Sequence, residues 1–161
     1  MTVARPSFDE QFAELSAIAY RVAFRLLGNR AEAEEVAQEA LARAFARWRT
    51  VSGYAEPWVA RVAINLAISR TRRRRPTVAF DETIDAVRRG DDNLAVERLA
   101  LAAALRDLPA RQRQVVALRY LADLPETEVA TVLHISKGSV KQHAHRGLAR
   151  LRQLLANRSM T

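Results

Sequence analysis

The sequence predicts an all-α protein built as two small helical domains joined by a flexible linker, and three observations predict it. Apolar residues recur at three- and four-residue spacing through long segments, and no segment alternates as a strand would. The 161 residues include only five glycines and five prolines, most of them between the periodic segments. Charge is also partitioned. Residues 1–75 carry 13 basic and 8 acidic side chains, residues 76–94 carry 2 and 5, and residues 95–161 carry 11 and 5. Two basic blocks thus flank an acidic, weakly periodic segment that begins at Pro76 and contains Gly90, and this segment reads as the linker.

Each element of the first block has a local signal. Ser7 and Glu10 stand at capping-box spacing. Phe12, Leu15, Ala19, Val22 and Leu26 then mark the buried face of a helix, and Gly28 supplies its stop. Asn29 suits the cap of a second helix. Its apolar stripe runs through Val36, Ala37, Ala40, Leu41, Ala44, Phe45 and Trp48. Val51, Ser52, Gly53 and Tyr54 read as a short loop, and Pro57 fits the first turn of a third helix. In the second block, helices are expected at about 94–106, 109–121, 126–133 and 137–155, punctuated by Leu108-Pro109 and Leu124-Pro125.

Composition narrows function. The net charge is +8, and 24 of the 26 basic residues are arginine, which favours an anionic partner, nucleic acid before membrane. The chain has no cysteine, which excludes a disulfide framework and a thiolate zinc site and fits a reducing compartment. No apolar run approaches the roughly 20 residues of a spanning helix, and the first ten residues lack the apolar core of a signal peptide. No glycine-rich phosphate loop and no nucleophile motif stands out, so no catalytic residue is assigned and no cofactor is expected.

The clearest motif is ETEVATVLHISKGSVKQHAHRGLARLR, residues 126–152. Ala130 is small where two helices must approach, Val129 and Leu133 face inward, His134 occupies the turn, Ile135 follows it, and Val140 is apolar on the next helix. Ser136 can cap that second helix. This spacing builds a helix-turn-helix whose second helix enters a major groove. The turn position favours a left-handed backbone, for which glycine is best suited and histidine is tolerated. Lys137, Ser139, Lys141, Gln142, His145 and Arg146 fall on or near the outer face. Lysine and arginine suit guanine edges or phosphates, and glutamine suits adenine. His143 and His145, two apart on a helix, do not face each other as metal ligands, and no metal site is expected.

Residues 58–72 form a second two-sided helix. Trp58, Arg61, Asn65, Ser69 and Arg72 share one face, and Val59, Ala63, Ile64, Leu66, Ala67 and Ile68 take the remaining arc. An aromatic ring, an amide, a hydroxyl and guanidiniums in line suit base stacking together with phosphate contact. The run RTRRRR at 70–75 points all around the axis, where the helix passes beyond its own core, and phosphate contact is the better reading of it. A third surface is acidic: Glu32, Glu35 and Glu39 recur at 3–4 spacing, with Glu34 and Gln38 on the adjacent strip. It reads as a solvated face or as a face for a basic or amide-rich partner helix.

Taken together, YRVAFRLLGNRAEAEEVAQEALARAF, WVARVAINLAISRTRRRR and the helix-turn-helix block resemble the bacterial RNA polymerase sigma factors of the extracytoplasmic-function (ECF) group, over roughly residues 10–75 and 95–156. The resemblance implies a sigma region 2 bundle over 1–75, a linker over 76–94, and a sigma region 4 helix-turn-helix over 95–161. It implies a specificity subunit and not an enzyme, acting in the cytoplasm. Its partners would be core RNA polymerase, through the clamp helices of the largest subunit and the flap of the second-largest, together with promoter DNA and, where one exists, an anti-sigma factor. Glu34, Glu35, Gln38 and Glu39 match the surface that docks on the clamp. Ser52, Tyr54, Trp58, Arg61, Asn65, Ser69, Arg70, Arg72 and Arg73 match the part that reads and melts the −10 element. Lys137, Ser139, Lys141, Gln142, His145 and Arg146 match the helix that reads the −35 element. His134 departs from the glycine usual at the turn, and Gln142 and His145 depart from commoner recognition residues, so promoter sequence does not transfer. Two rival readings are a stand-alone helix-turn-helix regulator, which would bind duplex tightly without polymerase, and a protein-binding sigma mimic, which would lack the basic faces.

Overall fold

Helix α1 (Phe8–Leu27) begins at the capping box that its sequence announces: the Glu10 N–H donates to Ser7 Oγ (3.2 Å), and the Ser7 N–H donates to the Glu10 carboxylate (2.9 Å). It ends at Gly28, whose φ of 64° is left-handed, with the Gly28 N–H donating to the Phe24 carbonyl. Helix α2 (Arg30–Ala46) starts at Asn29, whose side chain accepts from the Glu32 N–H. A short turn of helix, α3 (Trp48–Val51), leads through Ser52 and Gly53 to α4 (Ala55–Arg73). This computed structural model describes residues 4–73 and 91–160, and for residues 91 and 92 only the course of the chain. Arg74, Arg75 and residues 76–90 of the expected linker lie outside the described residues.

The first half is a bundle in which α1 packs on α2 and α4, and α2 on α4. Its core is Leu15, Ala19, Val22 and Leu26 from α1, Val36, Ala40 and Ala44 from α2, and Val59, Ala63 and Ala67 from α4, all essentially without solvent contact. Many of these are alanines, so the helix backbones can approach closely. Each fully buried leucine contributes about 1.5–3 kcal/mol. Two expectations fail here. Phe12 and Phe45, read as members of buried stripes, are 47% and 65% exposed. They pack at the edge of the bundle instead, where the Phe8 ring meets Phe12, Phe45 and Trp48 edge-on at centroid distances of 5.8, 5.2 and 5.3 Å. Trp48 also lies beyond α2, in α3.

The second half contains α5 (Asp91–Arg106), α6 (Ala110–Val116), α7 (Glu126–Leu133) and α8 (Lys137–Ser159). Pro109 and Pro125 stand just before α6 and α7, as the Leu-Pro punctuation predicts. The helix expected over 109–121 changes pitch on the way: Ala117–Leu121 is π-helical, closed by the Ala122 N–H donating to the Ala117 carbonyl at 3.1 Å. Such a widened turn has no periodic signature in sequence and is often found at functional sites. Among the described residues there is no strand.

The two halves touch. Helix α5 packs on α1 and α4 as well as on α8, and the buried side chains of both halves form one contiguous apolar cluster. At one seam, Arg21 donates to the Ala122 carbonyl (3.2 Å), and Arg25 donates to the Leu121 carbonyl and to the Asp123 carboxylate (3.0 Å). Guanidiniums thus meet the C-terminal end of the π-helical segment, where the helix dipole favours cations. The Arg98 guanidinium lies over the Phe24 ring, 5.2 Å from its centroid.

Candidate nucleic-acid interface

The helix-turn-helix is built as its spacing requires. Val129, Val132 and Leu133 of α7 are buried, and Ile135 is half-buried against the same core. His134 takes φ 54° and ψ 45°, the left-handed conformation expected of the turn. The Ser136 side chain accepts from the Ser139 N–H at 3.1 Å and starts α8. One face of α8 is packed through Val140, Ala144, Gly147 and Leu151.

The opposite face leaves Lys137, Lys141, Gln142, His145 and Arg146 exposed. Lys141 has a distant ionic partner, Glu126 at 3.9 Å. Ser139 differs from the expectation. It is half-buried, and its hydroxyl accepts from that of Ser136 at 3.0 Å, so it serves the cap. The residue that sequence reasoning missed is Gly147. A Cβ there would stand 2.6 Å from Val116 Cγ2, so α8 and α6 meet at this position. An isolated glycine inside a helical pattern was the available signal.

On α4, Asn65, Ser69, Arg72 and Arg73 are exposed in a row, while Trp58 and Arg61 are half-buried. The reason is the second half: α7 and the π-helical segment pack on α4, and Arg61 donates to the Val132 carbonyl at 3.4 Å. Arg70 is engaged by α2, with its guanidinium 2.7 Å from the Glu35 carboxylate. Ser52 is buried, 7% exposed, and Tyr54 half-buried. These two line a cleft of about 550 Å³ between the halves, together with Glu14, Glu56, Thr127 and Glu128. Of the nine residues expected to meet the −10 element, Asn65, Ser69, Arg72 and Arg73 are therefore presented, and the other five are covered or tied. On α2, Glu34, Glu35 and Gln38 are exposed and Glu39 half-buried, with Glu34 paired to Arg30 and Glu39 to Arg43.

The cleft gathers carboxylates from both halves. Burial pushes the Glu56 carboxyl above its usual range, the negative charges of Glu128 and Glu14 push it the same way, and Arg21 pulls weakly against them. Glu128 Oε2 is buried with no hydrogen-bond donor among the described residues. A carboxyl whose pKa is raised by folding binds its proton more tightly in the folded state. Its contribution is most favourable below the ordinary value of 4.5 and is lost as pH rises through the raised value. Glu56→Gln is therefore expected to flatten the fall in stability as pH rises above 4.5 and to stabilise the protein at pH 7. Urea melts of both proteins across that range check it. Parallel pH profiles would show that Glu56 is not the titrating group.

No cluster of three or more His, Asp or Glu side chains is arranged to hold a metal among the described residues, and none of their helices is long and apolar enough to cross a membrane.

Comparison with known proteins matches two stretches of the chain to named regions. The family model for sigma-70 region 2 matches residues 12–77, and that for sigma-70 region 4 matches residues 98–151. The ECF RNA polymerase sigma factor SigW of Bacillus subtilis is 32% identical over an alignment of 157 positions that covers 84% of this chain and 82% of that one. SigL of Mycobacterium tuberculosis, also an ECF RNA polymerase sigma factor, is 33% identical over an alignment of 165 positions that covers 98% of this chain and 91% of that one. The fold is that of the sigma factor RpoE of Bartonella quintana, solved in complex with the anti-sigma factor NepR: TM-score 0.57, 20% identity, 92% of this chain and 96% of that one.

Proposed function

We propose a promoter-reading mechanism from one premise: the chain belongs to the sigma-70 family of RNA polymerase sigma factors, in its ECF group. It is a sigma factor, a transcription initiation factor and not an enzyme. In the proposed mechanism it acts in the cytoplasm on core RNA polymerase. Region 2 spans residues 1–75 and region 4 residues 95–161, joined by the acidic 76–94 segment.

Helix α8 reads the −35 element through Lys137, Lys141, Gln142, His145 and Arg146, with Ser139 at the start of the helix. The observation that carries this reading is the two-sidedness of α8: one face is packed by Val140, Ala144, Gly147 and Leu151, and the other presents these polar and cationic side chains to solvent. Helix α4 and the 50–54 loop take the −10 element. Melting it costs about 1–2 kcal/mol for each base-pair step. Stacking on Trp58 and Tyr54 and charge neutralisation by Arg61, Arg70, Arg72 and Arg73 offset that cost, with Asn65, Ser69 and Ser52 supplying hydrogen bonds.

Glu34, Glu35, Gln38 and Glu39 dock on the clamp helices, and region 4 reaches the flap. Docking and reading are joined by one ion pair. Arg70, a DNA residue in this scheme, is held by Glu35, a docking residue. Clamp contact with Glu35 frees Arg70 for promoter phosphate. An anti-sigma factor is a further partner in this reading.

The test is run-off transcription from a pooled promoter library with bacterial core polymerase, with and without the chain. Chain-dependent transcripts that are lost on Asn65→Ala are expected. Tight, specific duplex binding with no effect on core polymerase would instead support a stand-alone regulator.

A further inference from the structure

The α4 face meets the second half at a second cleft, of about 240 Å³, lined by Asn65, Ile68, Ser69 and Arg72 of α4, Arg106 of α5 and Arg113 of α6. Its polar lining donates hydrogen bonds almost throughout: three guanidiniums, an amide and a hydroxyl. Among the described residues no carboxylate lies within ion-pair distance of Arg72, Arg106 or Arg113.

Two of the three are held in place. Arg106 Nη1 donates to the buried Thr71 hydroxyl (2.8 Å), which in turn donates to the Ile68 carbonyl (2.6 Å). Arg113 Nη1 donates to the Arg106 carbonyl (3.3 Å). Each of these bonds uses one nitrogen and leaves the remaining N–H groups of a five-donor fork unspent.

The neighbouring cleft makes the contrast. It shares Asn65 and Ser69 and is lined by Arg43, Arg70 and Arg73; there Arg43 is paired with Glu39 and Arg70 with Glu35, and Arg73 alone has no carboxylate partner among the described residues. Among the described residues, two of three guanidiniums are thus neutralised on one side of the Asn65–Ser69 ridge and none of three on the other. Three cations brought together from three helices repel one another unless a multivalent anion joins them, and guanidinium forks match phosphate oxygens in pairs.

We propose that this cleft is a binding site for a small phosphate-class polyanion, such as the diphosphate of a free nucleotide, and that the anion, held by Arg72 from the first half and by Arg106 and Arg113 from the second, fastens the two halves together. The cleft lies between helices, which favours a free anion over a lipid headgroup on a membrane surface. Its binding stands on the cleft alone. Its consequence, a −10 face kept closed, rests on the sigma-factor reading.

Inorganic pyrophosphate is the probe, titrated calorimetrically into the full chain in magnesium-free buffer at constant ionic strength. Expected are one site, at least tenfold tighter binding of pyrophosphate than of sulfate, and at least tenfold weaker binding in Arg113→Gln. If Arg113→Gln melts below the parent protein, Arg72→Gln at the exposed rim gives the same comparison without touching the packing. Equal binding of pyrophosphate and sulfate, or unchanged affinity in both variants, overturns the proposal. So does binding only to phosphatidylglycerol vesicles and not to the free anion.

The fastening has its own readout. The chain lacks cysteine, so Ala31→Cys with Gln153→Cys, both at exposed positions, accept a fluorophore pair. Pyrophosphate should narrow the transfer-efficiency distribution toward the closed value in this pair and not in its Arg113→Gln derivative. An unchanged distribution refutes the fastening. No polymerase is present in either assay, so failure of the sigma-factor reading would leave both results interpretable.

Discussion

Replacing Lys141 and Arg146 together with alanine is expected to lower promoter-specific transcription about 100-fold, with core binding and folding unchanged; good contacts to base edges contribute about 1–3 kcal/mol each. Both side chains are exposed on the outer face of α8, away from Val140, Ala144 and Gly147. Lys141 gives up only a 3.9 Å pairing with Glu126, and loosely paired surface ions contribute little to stability, about 0–1 kcal/mol. Alanine also favours the helix. The loss therefore falls on DNA. Run-off transcription measures it, and the salt dependence of promoter binding identifies its kind. Where a replaced side chain meets phosphate, the slope of log affinity against log salt falls by about one per contact. Where it meets a base, specificity relaxes at one position with the slope unchanged. Full transcription by the double variant would remove α8 from promoter reading.

Gly147→Ala is expected to destabilise the second half by about 1–2 kcal/mol, and Gly147→Leu by more than that; overpacking a core costs about 1–3 kcal/mol, while alanine returns about 1 kcal/mol of helix propensity over glycine. The new Cβ would meet Val116 Cγ2 at 2.6 Å, the Gln112 Cβ at 3.3 Å and the Gln112 carbonyl at 3.4 Å. Val116 is itself buried and Gln112 presents backbone, so neither can swing aside as a long surface side chain would. Gly138, on the same helix, is the control. Only Ser136 Oγ, at 3.8 Å, lies near the position of its Cβ, and Gly138→Ala should be neutral or stabilising. Urea denaturation of the three variants checks the order. If Gly147→Ala were as stable as Gly138→Ala, the close α6–α8 approach would not hold in solution.

What sequence shows of this molecule is what repeats or caps. The Ser7–Glu10 box, the Gly28 stop, the Asn29 and Ser136 caps and the left-handed His134 are each set by one or two neighbouring residues, and all are found as expected. Most of the buried face of α1 and of α4 follows from spacing, and on α8 spacing marks Val140. The failures share a different cause. Phe12 and Phe45 obey the helical period, but the period cannot say how wide an arc the neighbouring helices cover, and both fall outside it.

Ser52, Arg61 and Arg70 are legible as polar residues on or beside α4. Their burial or pairing depends on α7 and α2, which meet them only in three dimensions. The Arg21 and Arg25 seam joins residues 96 to 101 positions apart, through backbone carbonyls that no side-chain pattern encodes. Arg106 and Arg113 carry no sequence signal of their own, and only the fold brings them to one cleft with Arg72.

The apolar cluster that runs unbroken through both halves has a thermal consequence. Drawing α5 away from α1 and α4 exposes hydrocarbon to water, and such exposure raises heat capacity. In the proposed mechanism, the balance between the closed molecule and a separated one that takes promoter DNA therefore bends with temperature. The hydrophobic share of the closed form weakens on cooling, while the ionic contacts at the Arg25–Asp123 seam do not follow the same curve. On the proposed reading, temperature thus acts directly on how readily the two halves separate.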